Sequence, residues 1–190
     1  SYWMPYTANR QFKKDPRIIV SAEGRYYTDA LGRKIFDGLS GLWTCGAGHA
    51  RPAITEAIAK QAKTLDYAPS FQFGHPKAFE LSHRITQLTP KGLDRVFFTG
   101  SGSDSVETAL KIARGYWRKK GQAGKTRFIG RAKGYHGVNF GGISVGGIGP
   151  NRALFGQGIE SAHLPHTLLA ENLFSKGMPT EGAYLADELE

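Results

Sequence analysis

Arg95-Val-Phe-Phe-Thr-Gly-Ser-Gly-Ser-Asp-Ser-Val-Glu-Thr-Ala-Leu-Lys-Ile-Ala-Arg-Gly-Tyr-Trp117 reads as a strand, a glycine-serine turn and a helix in immediate succession. Val96, Phe97 and Phe98 form a short β-prone apolar run, whereas Val106, Ala109, Leu110, Ala113, Tyr116 and Trp117 recur at helical spacing. The period therefore changes across residues 100–103, and the turn sits on a helix N-terminus. There the first N–H groups lack intrahelical partners and the macrodipole is positive, so a phosphate satisfies both. Gly102 allows close approach of an anion, and the hydroxyls of Ser101 and Ser103 add possible donors. The same residues also read as an ordinary cap, with Asp104 and Glu107 forming a capping-box variant that needs no ligand. On these residues alone both readings stand.

The next β-prone run, 126–130, is followed by Lys133-Gly-Tyr-His-Gly137 and then by a stretch broken by Gly141, Gly142, Gly146, Gly147, Gly149, Gly156 and Gly158. An irregular path is expected there. Taken alone, Tyr135 and His136 belong to an exposed loop. In a parallel α/β sheet, where ligands lie outside the carboxyl ends of the strands, the order turn, helix, strand and Tyr-His-Gly loop instead puts an aromatic ring beside a phosphate site. A flat, phosphorylated cofactor suits that arrangement.

Bulk properties narrow the class. The 190 residues are 40% hydrophobic and 22% charged, which supports one sizeable core and argues against a disordered chain. No apolar run reaches the roughly 18 to 20 residues of a membrane helix, and Ser1-Tyr-Trp-Met-Pro5 lacks a secretory pattern, so a cytoplasmic protein is expected. The single cysteine, Cys45, excludes an internal disulfide and reads as a small core hydrophobe. The net charge of +9 comes from short, separated runs, Lys13-Lys14 and Arg118-Lys-Lys120, the latter at a helix C-terminus where cations complement the dipole. A solvated face is expected rather than a nucleic-acid stripe. His163 and His166 in His-Leu-Pro-His supply two imidazoles without a nearby carboxylate or thiol, too few for a metal site.

Along the chain, residues 18–37 read as a small antiparallel meander. An aromatic-bearing loop follows, Ser40-Gly-Leu-Trp-Thr-Cys-Gly-Ala-Gly-His49. Pro52 opens a helix with an apolar stripe at Ile54, Ile58, Ala62 and Leu65; a second helix follows Pro76 with Ala78, Leu81, Ile85 and Leu88 on one face. Between them, Tyr67-Ala-Pro-Ser-Phe-Gln-Phe-Gly74 is too broken for a long element. From about Leu93 onward, strand, helix and strand imply a right-handed βαβ crossover and a parallel sheet. Residues 182–190 read as the opening of a helix without a stop signal, so the chain is expected to end in mid-domain, its acidic remainder elsewhere.

Four ordered segments carry a family resemblance: Tyr26-Tyr-Thr-Asp-Ala-Leu-Gly-Arg-Lys-Ile-Phe-Asp-Gly-Leu-Ser-Gly41, Gly48-His-Ala-Arg-Pro52, Phe97-Phe-Thr-Gly-Ser-Gly-Ser-Asp104 and Gly134-Tyr-His-Gly137. Together they resemble the class III pyridoxal-phosphate aminotransferases. Ser70-Phe-Gln-Phe-Gly-His-Pro76, Gly137-Val-Asn139 and Leu164-Pro-His-Thr-Leu-Leu169 point toward the ω-amino acid:pyruvate (β-alanine:pyruvate) group. The resemblance implies an α/β fold-type I architecture, with residues 1–50 an N-terminal segment of the small domain and residues 51–190 the first part of the large domain. It implies pyridoxal 5'-phosphate as cofactor, an ω-amine donor and pyruvate as substrates, and a homodimer or dimer of dimers, with no nucleic acid and no membrane. The family's phosphate turn matches Ser101, Gly102 and Ser103; its ring-stacking aromatic matches Tyr135, with His136 and Gly137 beside it. Its substrate-pocket aromatics match Trp43, Trp3, Phe71 and Phe73, with Tyr135 shared between cofactor and substrate.

One position departs from the family, which usually has glutamate where this chain has Asp104. The resemblance also places the lysine that holds the cofactor, the aspartate on its pyridine nitrogen and the arginine for the substrate carboxylate beyond Glu190. The chain alone is then expected to be inactive. Two rival readings remain within reach: a family member with an ornithine, diamine or aryl-amine donor, and a non-catalytic cofactor-binding or assembly subunit.

Overall fold

Alternating side chains and tight turns make the first element pair. β1 (Ile19–Glu23), β2 (Tyr26–Asp29) and β3 (Lys34–Phe36) form an antiparallel sheet in the order β1-β2-β3, as the spacing predicts. Glu23 pairs with Tyr26 and Tyr26 with Phe36; a bulge interrupts the register between Ile19 and Ser21. The β2–β3 turn is organised by Asp29, only 4% exposed, whose carboxylate accepts the N–H groups of Leu31 and Arg33 at 3.0 and 2.8 Å and the Arg33 Nε at 2.7 Å. Burial alone raises the Asp29 pKa, but the Arg33 and Leu31 donors outweigh it and hold the carboxyl below its usual range.

The computed structural model describes residues 1–177 and 181–189. It divides into two units, Ser1–Leu88 and Thr89–Glu190. The first contains the meander, the short helix α1 (Asn9–Lys14), α2 (Pro52–Thr64) and α3 (Pro76–Thr86). Proline occupies the start of both longer helices, where its missing N–H costs nothing. His75 caps α3: its Nδ1 accepts the Lys77 N–H at 3.1 Å, leaving Nε2 as the donor to the Leu65 carbonyl at 3.3 Å. The predicted apolar stripes exist but face outward, with Ile54, Ile58 and Leu81 all exposed. The broken stretch 67–74 forms only a turn, as expected.

In the second unit, α4 (Gly102–Lys119) is followed by β4 (Phe128–Arg131), α5 (Phe140–Val145), α6 (Gly149–Phe155) and β5 (Ser161–Leu164). β4 and β5 are parallel, Phe128 opposite Ser161 and Arg131 opposite Leu164. Arg118 and Lys119 lie in the last turn of α4, the dipole-complementing position anticipated for them. Three expectations need correction. Residues 96–98 form no strand, because a ladder needs a partner and none of the described residues supplies one; Phe97 and Phe98 are exposed. Residues 183–189 wind as a 3₁₀ helix rather than an α-helix, with Leu185 buried; Glu190 lies outside the described residues.

The third correction concerns the first part of the glycine-rich stretch, where residues 140–145 form a helix in the core of this unit; residues 156–160 follow the irregular path expected. α5 buries Gly141, Gly142, Ile143, Ser144 and Val145 against β4, β5 and α4. Glycine disfavours a helix by about 1 kcal/mol relative to alanine. Tertiary fit overrides that cost: a Cβ on Gly142 would collide with the His136 carbonyl, and one on Gly141 would lie 2.6 Å from the Glu107 carboxylate.

Ser144 is fully buried and fully bonded. Its hydroxyl donates to the Phe140 carbonyl at 2.6 Å and accepts the N–H groups of Gly158 and Ile159 at 2.9 and 3.2 Å. Ser144→Ala strands two N–H donors and is expected to destabilise the fold by about 2 kcal/mol, read as a lower urea midpoint at unchanged slope. A midpoint equal to wild type would show that water replaces the hydroxyl.

Candidate functional site

The helix start of α4 is a cap and an open donor site at once. Ser101, in extended backbone, accepts the Asp104 N–H at 3.1 Å and donates its hydroxyl hydrogen to the Asp104 carboxylate at 2.8 Å. The capping pair is therefore Ser101 with Asp104, not Asp104 with Glu107. The side chain one methylene shorter than glutamate still closes this box. With the cap made there, the N–H groups of Gly102 and Ser103 find no acceptor among the described residues, as the first positions of a helix require. A Cβ placed on Gly102 would meet nothing within 4 Å.

The Tyr-His-Gly loop is bound to that same turn. The Val138 N–H donates to Ser103 Oγ at 3.0 Å, Asn139 Nδ2 to the Asp104 carboxylate at 3.3 Å, and the Gly142 N–H to Glu107 at 3.0 Å. Glu107, read from sequence as half of a cap, instead tethers α5. Gly137 is buried with φ +98, and a Cβ there would stand 2.7 Å from Ser103 Oγ and 2.8 Å from its Cα. Only glycine has both that conformation and that clearance. On its other side the loop is held by Gly147, which exchanges backbone bonds with Lys133 and Gly134 at 3.0 and 2.7 Å. Tyr135 projects between these anchors, 61% exposed, with His136 also exposed.

These residues fit a flat phosphorylated group. Two unpaired N–H donors, the Ser103 hydroxyl hydrogen, open space over Gly102 and an exposed aromatic ring occur on segments hydrogen-bonded to one another. Ser101 shapes the turn, its own hydroxyl hydrogen being directed at Asp104.

The aromatic positions of the first unit are all exposed: Trp3, Trp43, Phe71 and Phe73 at 85, 79, 89 and 71%. Trp43 ends a segment whose composition predicts an aromatic-bearing loop. Ser40, Gly41, Leu42 and Trp43 have φ of 49, 59, 58 and 70°, a left-handed turn. Such a conformation costs roughly 1–2 kcal/mol for each non-glycine residue. Its anchor is Asp37, whose carboxylate accepts the N–H groups of Gly41 and Leu39 at 2.8 and 3.2 Å and His49 Nε2 at 2.6 Å. The His49 hydrogen bond, opposed by burial and joined by Gly41 and Tyr27, holds the Asp37 carboxyl below its usual range. Burial, then the nearby Asp37 carboxylate, raises the Tyr27 phenol. Spacing gave no signal for this cluster, since Tyr27 and His49 are 22 positions apart. Cys45 is half-buried beside Gly41, so it is not the core hydrophobe expected. His163 lies beside Arg152 and the Gly146 carbonyl, and no group of three metal-ligating side chains occurs among the described residues. No helix among them is long and apolar enough to cross a membrane.

A family model for class-III aminotransferases matches residues 7–183. The chain belongs to the class-III aminotransferases. This aminotransferase chain is 62% identical to the ω-amino acid–pyruvate aminotransferase of Pseudomonas putida and 59% identical to the β-alanine–pyruvate aminotransferase of Pseudomonas aeruginosa, over its whole length. It spans 42% of the length of each of these relatives. Among solved structures it matches an (S)-enantioselective ω-transaminase from Thermomicrobium roseum with a TM-score of 0.83 at 34% identity, over 87% of this chain and 38% of that one. It also matches an amine transaminase from an uncultivated Pseudomonas species in its PLP-bound form, with a TM-score of 0.78 at 37% identity and the same coverages. The fold is thus part of a fold-type I domain.

Proposed function

We propose that this chain forms the phosphate-anchoring part of an aminotransferase that moves an amino group from an ω-amino acid or amine, such as β-alanine, to pyruvate. The observation that carries the reading is the lacing of the Ser101–Ser103 helix start to the Tyr135 loop through Ser103 Oγ and Asp104. The names of the relatives at 57–62% identity support the donor class, and putrescine–pyruvate aminotransferase at 42% over 81% of the chain marks an alternative donor type. Bound at this turn, pyridoxal phosphate supplies an electron sink for the carbon that bears the amino group. Gly102 and Ser103 hold its phosphate through their N–H groups, and the Ser103 hydroxyl adds a third donor. Tyr135 presents its ring face to the pyridine plane, with His136 and Gly137 beside it. Trp43, Trp3, Phe71 and Phe73 contact the donor amine or the facing subunit of a homodimer.

The test follows the amino group. The complete polypeptide is expected to form alanine from β-alanine and pyruvate with added cofactor, and residues 1–190 alone to form none, because no lysine here matches the family's cofactor-bearing one. Turnover by residues 1–190 alone, or none by the complete protein with any ω-amine, overturns the reading.

A further inference from the structure

The cluster at Asp37 takes no part in phosphate binding, yet it converges on the most strained segment of the first unit. The side chains of Asp37 and His49 are 6 and 12% exposed, so neither is a surface pair screened by water. An ionised carboxylate has only acceptor sites, so His49 must carry its hydrogen on Nε2. The Tyr27 ring lies 4.6 Å from the His49 ring at 50°, which fixes the imidazole from its side. His49 is fastened in turn to the meander by its backbone, exchanging bonds with Gly24 at 2.7 and 3.0 Å. Asp37 follows β3 directly, Tyr27 is on β2, and His49 ends the loop. Both ends of residues 38–48 are therefore tied to one carboxylate.

What lies between these ends is the left-handed turn. Ser40, Leu42 and Trp43 would each relax to an ordinary right-handed conformation if nothing opposed it, and the indole at its end would then point elsewhere. Two of the N–H groups that define the turn, those of Leu39 and Gly41, are the ones Asp37 holds. Inner bonds alone, Trp43 N–H to the Leu39 carbonyl and Cys45 N–H to the Ser40 carbonyl at 2.8 Å each, close the turn without anchoring it to the sheet. A strained, exposed turn that presents an exposed tryptophan is a backbone outlier of the kind that persists where geometry serves a site.

We propose that Asp37 and His49, with the Tyr27 ring against the imidazole, form a clamp that holds the left-handed Ser40–Trp43 turn, fixes the position of the Trp43 indole, and so sets which amine donors the enzyme accepts. The donor half of this statement rests on the reading of Trp43 given under the proposed function. The clamp residues are positioning residues: they act through the turn.

The experiment uses the complete holoprotein with His49→Leu, His49→Gln and Tyr27→Leu. Glutamine keeps an N–H donor within reach of Asp37; leucine does not. Amide hydrogen exchange of peptides covering residues 38–48 is expected to speed up by about tenfold in His49→Leu, the factor for one lost hydrogen bond of ordinary net strength. The ratio of kcat/KM for β-alanine over a bulky aryl amine is expected to change by about fivefold, through KM, while cofactor affinity stays at the wild-type value. His49→Gln should restore both readouts to within about twofold of wild type, since the donor to Asp37 is kept. Unchanged exchange in His49→Leu overturns the clamp; faster exchange with an unchanged donor ratio overturns its role in selectivity. Should His49→Leu fail to fold, Tyr27→Leu, which removes the ring that holds the imidazole from its side, decides by the same two readouts. If the wild type transfers from no donor, the functional reading falls by itself, and the exchange data still judge the clamp.

Discussion

Gly102→Val is expected to leave the fold as stable as wild type and to weaken retention of pyridoxal phosphate by about a hundredfold, the worth of one or two charge-assisted hydrogen bonds. The two halves of that expectation come from one observation: a Cβ at Gly102 meets nothing within 4 Å among the described residues, so a side chain there has room to start and points into the space a phosphate would use. Gly137→Val is the contrasting case. Its Cβ would overlap the Cα and Oγ of Ser103, and its φ of +98 is strained for any L side chain, so both folding and cofactor affinity should fall. Cofactor titration by absorbance, with urea unfolding of the unloaded protein alongside, separates the two. A Gly102→Val protein that titrates like wild type removes the phosphate from this helix start.

How far the sequence reveals this arrangement depends on the range of the interactions responsible. The meander, the proline-led helices and the helix start at Gly102 are local: alternation, a fixed φ and a change of period act over a few residues, and each is found where spacing predicts it, although the cap is Ser101 with Asp104. The missing strand at 96–98 has the right composition but lacks a partner, and pairing is not a property of the run itself. The glycine-rich helix shows the converse. Its composition argues for a loop, and it is helical because β4, β5 and α4 bury it and because Glu107, 35 positions earlier, takes the Gly142 N–H. Glu107 looked like a cap for the same reason: i to i+3 spacing is visible in a sequence, and a tether across 35 residues is not. The left-handed turn at Ser40–Trp43 was equally hidden, since leucine and tryptophan in that conformation contradict their intrinsic preference and only the donors gathered at Asp37 account for it. The residues proposed to hold the cofactor were legible because phosphate recognition uses a local device, a helix start; the residues that set its surroundings act at long range.

Tyr135→Ala is expected to lower cofactor affinity by about fiftyfold, and Tyr135→Phe by no more than about threefold, because the phenyl face supplies both the buried area and the stacking. The backbone argument for this difference is specific. The loop is fixed on one side by Val138 and Gly137 against Ser103 and on the other by Lys133 and Gly134 against Gly147, so truncating the side chain between these anchors should leave the loop in place. With the loop unmoved, the loss measures the ring itself. Tyr135 is 61% exposed, so its hydroxyl can bond water, which is why phenylalanine should serve nearly as well. The measurement is equilibrium cofactor binding followed by absorbance, together with the rate at which bound cofactor is lost on dilution. If alanine and phenylalanine behave alike, the ring face is not what the cofactor meets, and Tyr135 would act only through the loop that Ser103 holds.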